Sequence, residues 1–169
     1  MCVALAPREG PESSVYALVP WQAGWAQALL AAWVDPDIAR WNPVPPEPTL
    51  ELAQSWIRGT ADQNEASIGI DVVLARAADA ALAGEVGLQV DPTQGIAEVG
   101  FWLAEGFRGK GVGKIMLAAA QDLAAELELA GLVALVEPAN TAAIGLLQEM
   151  AWQELPTKSH RQAFAFRTP

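Results

Sequence analysis

The sequence predicts a mixed α+β fold: a central mixed, mainly antiparallel sheet with helices on both faces. Two observations predict it. Between Ile68 and Leu103, β-rich segments alternate with turn-forming stretches, the pattern of strands that pair antiparallel. After them, Val112, Met116, Ala119, Leu123 and Leu127 mark one face of a long helix. The apolar run Leu132 to Glu137 then reads as a buried strand, parallel to its predecessor across a strand-helix-strand crossover.

Taken in order, residues 1–14 read as a flexible lead-in, with Pro7, Gly10, Pro11, Ser13 and Ser14, and residues 15–169 as a single domain. Val15 to Val19 is a first strand stopped by Pro20. Trp21 to Val34 is a helix with Trp25, Leu29, Ala32 and Trp33 at helical spacing. Five prolines in residues 35–48 predict irregular structure. Thr49 is an N-cap for a helix that turns Leu52, Ala53 and Trp56 inward. Ile68 to Arg76, Leu82 to Val90 and Ile96 to Leu103 are strands, Asn140 caps the last helix, and Trp152 to Leu155 with Gln162 to Phe166 form a closing hairpin.

Composition excludes several functions. At 169 residues the chain has the length of one domain with a proper core. A formal net charge of −10 argues against nucleic acid, whose binding rests on neutralising phosphates, and suits a cationic acceptor. Acidic surfaces also simply keep proteins soluble. Cys2 and His160 are the only residues of their kinds, which argues against a metal site, a disulfide or a Ser-His-Asp triad. No apolar run reaches the ~18 residues of a membrane span, and the N-terminus lacks a basic region and long apolar core, so a cytoplasmic location is expected.

The functional signal is Arg108-Gly109-Lys110-Gly111-Val112-Gly113-Lys114, placed between the Ile96 to Leu103 strand and the long helix. The first N–H groups of a helix have no partner within it, and the peptide dipoles place positive charge there, so a phosphate is the natural guest. Glycines let the backbone take conformations closed to other residues and let an anion approach closely. Two phosphate motifs fail on spacing. A nucleoside-triphosphate loop anchored on Gly113-Lys114 opens on Arg108 instead of glycine and closes on Ile115 instead of Ser or Thr. The third glycine of a dinucleotide fingerprint falls on Lys114 or Met116. Arg-x-x-Gly-x-Gly fits at Arg108, Gly111 and Gly113.

That pattern resembles the pyrophosphate motif of the GCN5-related N-acetyltransferases (GNAT). Asn140-Thr-Ala-Ala143-Ile-Gly-Leu-Leu147-Gln-Glu-Met-Ala151-Trp152 resembles the family's Asn-x-x-Ala-x-x-Leu-Tyr-Glu-x-x-Gly-Phe segment, and Gly84-Glu85-Val86-Gly87 is similar to the branch of ribosomal-protein N-terminal acetyltransferases. The resemblance implies a GNAT-type sheet that splays beside the long helix and an acetyl-CoA donor whose pyrophosphate lies on Arg108 to Lys114. It implies backbone pairing of the pantetheine arm near Trp102 and Leu103, with Asn140 close to it; a helix cap is the other reading of Asn140. It also places the region of Trp41 and Asn42 on the acceptor side, although tryptophans such as Trp41 often only pack a core.

The chemistry is attack of a neutral amine on a thioester, and a primary amine with pKa near ~10 must first lose a proton. Ala97-Glu98-Val99-Gly100-Phe101 resembles the strand that carries a glutamate base in histone-acetylating members. Glu98 is therefore the expected base, with Glu85 in reserve; a solvated strand carboxylate is the other reading of Glu98. The expected acid is missing, since Leu147 stands where the family often has tyrosine, and Ala143 where the ribosomal branch often has serine. The function expected is N-acetylation of a small-molecule or peptide amine in a ternary complex, by a monomer or homodimer. A non-catalytic acyl-CoA-binding module that kept the cradle and lost the acid is the alternative.

Overall fold

A computed structural model describes residues 6–66 and 69–169 of the chain. In chain order the elements are β1 (Arg8–Glu9), β2 (Val15–Pro20), α1 (Ala26–Val34), α2 (Pro36–Trp41), α3 (Leu50–Ala66), β3 (Gly69–Arg76), β4 (Leu82–Asp91), β5 (Ile96–Leu103), α4 (Val112–Glu126), β6 (Gly131–Val136), α5 (Thr141–Glu149), β7 (Gln153–Leu155) and β8 (Gln162–Arg167). They build an eight-stranded sheet in the order β1-β2-β3-β4-β5-β6-β8-β7. Only β5 and β6 run parallel; every other neighbouring pair is antiparallel.

Strand alternation sends side chains to two different layers. Ile70, Val72 and Leu74 of β3, Val86 and Leu88 of β4, and Ala97 and Val99 of β5 pack with Val112, Met116, Ala119 and Leu123 of α4 and Leu147 of α5. On the other face, Val73, Ala75 and Trp102 pack with Trp21, Trp25, Leu29, Trp33, Ile38 and Ile57, most of them from α1, α2 and α3. Edge-to-face ring contacts of Trp21 with Trp25 and Trp56, and of Trp33 with Trp56, tie this second layer together. Apolar burial on both faces forces helices onto both.

Three readings change. Residues 35–48 contain the helix α2, because Asp35 caps it by accepting from the Asp37 N–H at 2.9 Å and Pro36 occupies the first turn, where its missing N–H costs nothing. Within the expected lead-in, Arg8 and Glu9 pair with Tyr16 and Val15, and Arg8 Nε donates to Asp122 of α4 at 2.9 Å. Leu52, expected inside, is 41 % exposed, while Ala53 and Ile57 are the buried residues of that face. The caps at Thr49 and Asn140 form as expected, through Leu52 N at 3.1 Å and Ala143 N at 3.2 Å. Ile68 and the first five residues of the lead-in lie outside the described residues.

Candidate active site

The parallel pairing of β5 and β6 ends early. Ile96, Ala97 and Glu98 are in register with Gly131, Leu132 and Val133, and beyond them the two strands part, although β5 continues to Leu103 and β6 to Val136. The facing edges of Val99–Leu103 and Ala134–Val136 are left without a strand partner. A cleft of about 870 Å³ opens there, with Met116 of α4 among its lining and the glycine turn at one end. An extended ligand can complete both edges by main-chain pairing.

The glycine turn is shaped for an anion. Gly109 and Gly111 have φ of +68° and +78°, a region that side chains rarely adopt. Gly113 serves a different purpose, because a Cβ there would stand 2.9 Å from Leu146 Cδ2 of α5. Among the described residues, the N–H groups of Gly109, Lys110, Gly111, Val112 and Gly113 meet no backbone carbonyl, since the one bond that closes this turn runs from Lys114 N to Gly111 O at 3.1 Å. Five adjacent free donors at a helix N-terminus make a nest for a phosphate.

The cations of the turn are engaged elsewhere. Arg108 donates through Nε to the Leu103 carbonyl at 2.9 Å, through Nη2 to Asp35 at 2.6 Å and through Nη1 to Asp37 at 3.1 Å, and its own N–H bonds Glu105 O at 3.2 Å. Its side chain thus anchors α2 to the turn while still lining the cleft. Burial pushes the Asp35 carboxyl up, but the Arg108 guanidinium and the Asp37 N–H outweigh it and hold it below the usual carboxylate range. Lys110 Nζ bonds Gly106 O at 2.7 Å, and Lys114 Nζ reaches Glu149 of α5 at 2.8 Å across the mouth of the cleft.

Most residues singled out in the sequence meet here. Trp102, Leu103, Arg108, Gly109, Gly111, Gly113, Lys114 and Asn140 line the cleft, as do Trp41 and Asn42 from the end of α2. Trp41 carries the Arg40 guanidinium over its ring at 4.5 Å, and Asn42 Nδ2 donates to the Ile38 carbonyl at 3.1 Å. Lys110 stays outside the lining, and Val112 is buried beneath it. Leu147 has no exposed surface and faces the core, so α5 presents no proton donor from that position.

The two candidate carboxylates differ. Glu98 sits half-exposed at the rim where β5 and β6 part, 3.9 Å from Arg161 Nη1, and it does not line the cleft. Glu85 lies opposite Trp102 on β4 and accepts from the indole Nε1 of Trp102. Burial and the charge of Asp71 push its carboxyl up to about 8, against the opposing hydrogen bond from Trp102. Glu137 and Arg161 also line the cleft, and His160 Nε2 stands 3.1 Å from Glu137 Oε1. These three carry no motif, since the fold of β6 against the β7–β8 loop is what joins them. The acid in the apolar run Ile70-Asp71-Val72 was the available signal for Asp71.

An anion nest joined to an open pair of strand edges suits an extended ligand with a phosphate-bearing end. The chain belongs to the acetyltransferase (GNAT) domain family, whose model matches residues 17–152. The donor is therefore acetyl-CoA. No curated protein sequence matches the chain. Among solved structures it is similar to Mycobacterium smegmatis RimJ in complex with CoA-disulfide, at 17% identity and a TM-score of 0.81, covering 98% of this chain and 87% of that one. It is also similar to spermidine N-acetyltransferase from Vibrio cholerae in complex with CoA and spermine, at 16% identity and a TM-score of 0.76, covering 90% and 95%. At these identities the likeness establishes the fold.

Proposed function

We propose that this N-acetyltransferase acts in the cytoplasm on a cationic primary amine, by direct attack within a ternary complex. The observation that carries the reading is the parting of β5 and β6 after Glu98, directly above the glycine turn. The donor's pyrophosphate rests on the N–H groups of Gly109 to Gly113, its pantetheine arm pairs with the open edges near Trp102 and Leu103, and Asn140 borders the arm. The acceptor enters from the side walled by Trp41 and Asn42.

The amine arrives as an ammonium and gives one proton to Glu98, directly or through water. Its lone pair attacks the thioester carbonyl, and the C–N bond forms. Collapse breaks the C–S bond, and the departing sulfur takes the second proton from nitrogen, giving amide and CoA thiol. With Leu147 in the core, the acid step relies on this proton or on solvent. Cys2 is the sole cysteine and matches no motif, so no acetyl-enzyme is invoked.

Thiol release from acetyl-CoA with a panel of primary amines tests the reading. Turnover should depend on the amine, and double-reciprocal lines should intersect. Parallel lines would overturn direct attack, and release of thiol by no amine in the panel would overturn the acceptor class.

A further inference from the structure

The cleft has a closed end that the reading above leaves unassigned. On β5 the lining runs from Leu103 back to Val99 and stops; on β6 it runs from Glu137 back to Ala134 and stops; on α4 Met116 is the last residue to reach it. The stops coincide because Glu98 and Val133, one residue further back on each strand, are the last pair in register, and there the two main chains close the gap. One residue from each element therefore marks the end: Val99, Ala134 and Met116.

The side chains of these three share one layer. All belong to the core between the sheet and α4, and each is at most 4 % exposed, yet each forms part of the cleft wall. Beyond Met116, Ala119, Ala120 and Leu123 continue the buried face of α4 without reaching the cleft. Ala134 offers only a methyl, and Val99 is short and stiff at χ1. The unbranched thioether of Met116 is the long wall of the three, and it sets how deep the end can be.

We propose that Val99, Met116 and Ala134 form the acyl pocket of the donor, and that Met116 limits its chain length, admitting acetyl and rejecting a four-carbon acyl group. The proposal rests on the acetyltransferase reading and names the donor selectivity within it. Distance places the acyl group there. The nest for the pyrophosphate lies at the opposite end of the cleft, and the edge from Leu103 back to Val99 spans roughly 13 Å, a distance that an extended pantetheine arm covers. The thioester then meets main-chain groups of the open edges, and its methyl meets the three apolar side chains. A butyryl chain adds two methylenes, which would have to enter an interior packed as densely as an organic crystal. In such a pocket one methylene is worth about ten-fold or more in discrimination.

The test compares acetyl-CoA, propionyl-CoA and butyryl-CoA. Binding of each is followed by calorimetry without an acceptor, and kcat/KM by thiol release with the best amine of the panel above. The parent should favour acetyl over butyryl by about ten-fold or more in both measurements, with propionyl between them. Met116→Ala should shift the ratio toward butyryl by about ten-fold, and Met116→Val, which shortens the side chain without emptying the site, should shift it part of the way. Leu117→Ala, which opens the same core at a fully buried residue that does not line the cleft, should leave the ratio where it was. A parent that binds and uses butyryl-CoA as well as acetyl-CoA, or a ratio that Met116→Val and Met116→Ala leave unchanged, would overturn the pocket. Absence of thiol release from every acyl-CoA would count against the acetyltransferase reading instead, and the binding ratios would still decide the pocket.

Discussion

Arg108 Nη2 donates to Asp35 Oδ2 at 2.6 Å, and the same guanidinium reaches Asp37 and the Leu103 carbonyl, so one side chain joins the glycine turn to the N-terminus of α2 and the end of β5. In the proposed reading, the helix on the acceptor side is thereby referenced to the turn that would hold the donor. Lysine has one charged nitrogen and cannot span all three acceptors. Arg108→Lys should raise the acceptor KM several-fold and lower stability by about 1 kcal/mol, a modest figure because the pair is partly solvated. Unchanged acceptor KM and an unchanged melting temperature would remove this bridging role.

Gly111 holds a left-handed φ of +78° at the N-cap of α4. Gly111→Ala should cost about 1–2 kcal/mol or tilt the turn, and either outcome disturbs the N–H nest. Titration with CoA should show affinity reduced about ten-fold, with melting measured alongside to separate the two effects.

Glu98 at the rim is the proposed proton acceptor. Glu98→Gln should cut the rate near neutral pH and recover part of it under alkaline conditions, where free amine is plentiful. A pH–rate profile superimposable on that of the parent would rule the role out.

Glu85 makes stability depend on pH in a defined direction. Its carboxyl moves from an ordinary 4.5 to about 8 on folding, so the folded chain holds this proton more tightly than the unfolded one. The contribution is fully present below about pH 4.5, falls as the pH rises, and is gone above about pH 8. Asp71 shifts in the same direction. Chemical denaturation across that window should show stability declining as pH rises, and Glu85→Gln should flatten the decline.

Much of the fold was legible locally. The bounds of β5, Ile96–Leu103, follow from its β-rich alternation, and the buried face of α4 from its 3.6-residue spacing, because each pattern is the record of one face meeting one core. The glycines of the turn were legible because two of them satisfy a backbone requirement within the turn itself. The helix at Pro36–Trp41 was hidden by prolines that flank it, although Asp35-Pro36 is itself a start signal.

By itself the sequence determined the donor end of this protein: the Arg108 to Lys114 turn, the strand before it, the helix after it and the cap at Asn140. These are short-range features whose physics is complete within a few residues. Tertiary structure decided the rest. It tied Arg108 to Asp35, set Leu147 into the core, put Glu98 beside Arg161, and brought Asp71 close enough to Glu85 for its charge to act there. Those relationships arise from strand register and from side chains as many as 73 residues apart in the chain, and no local periodicity encodes them.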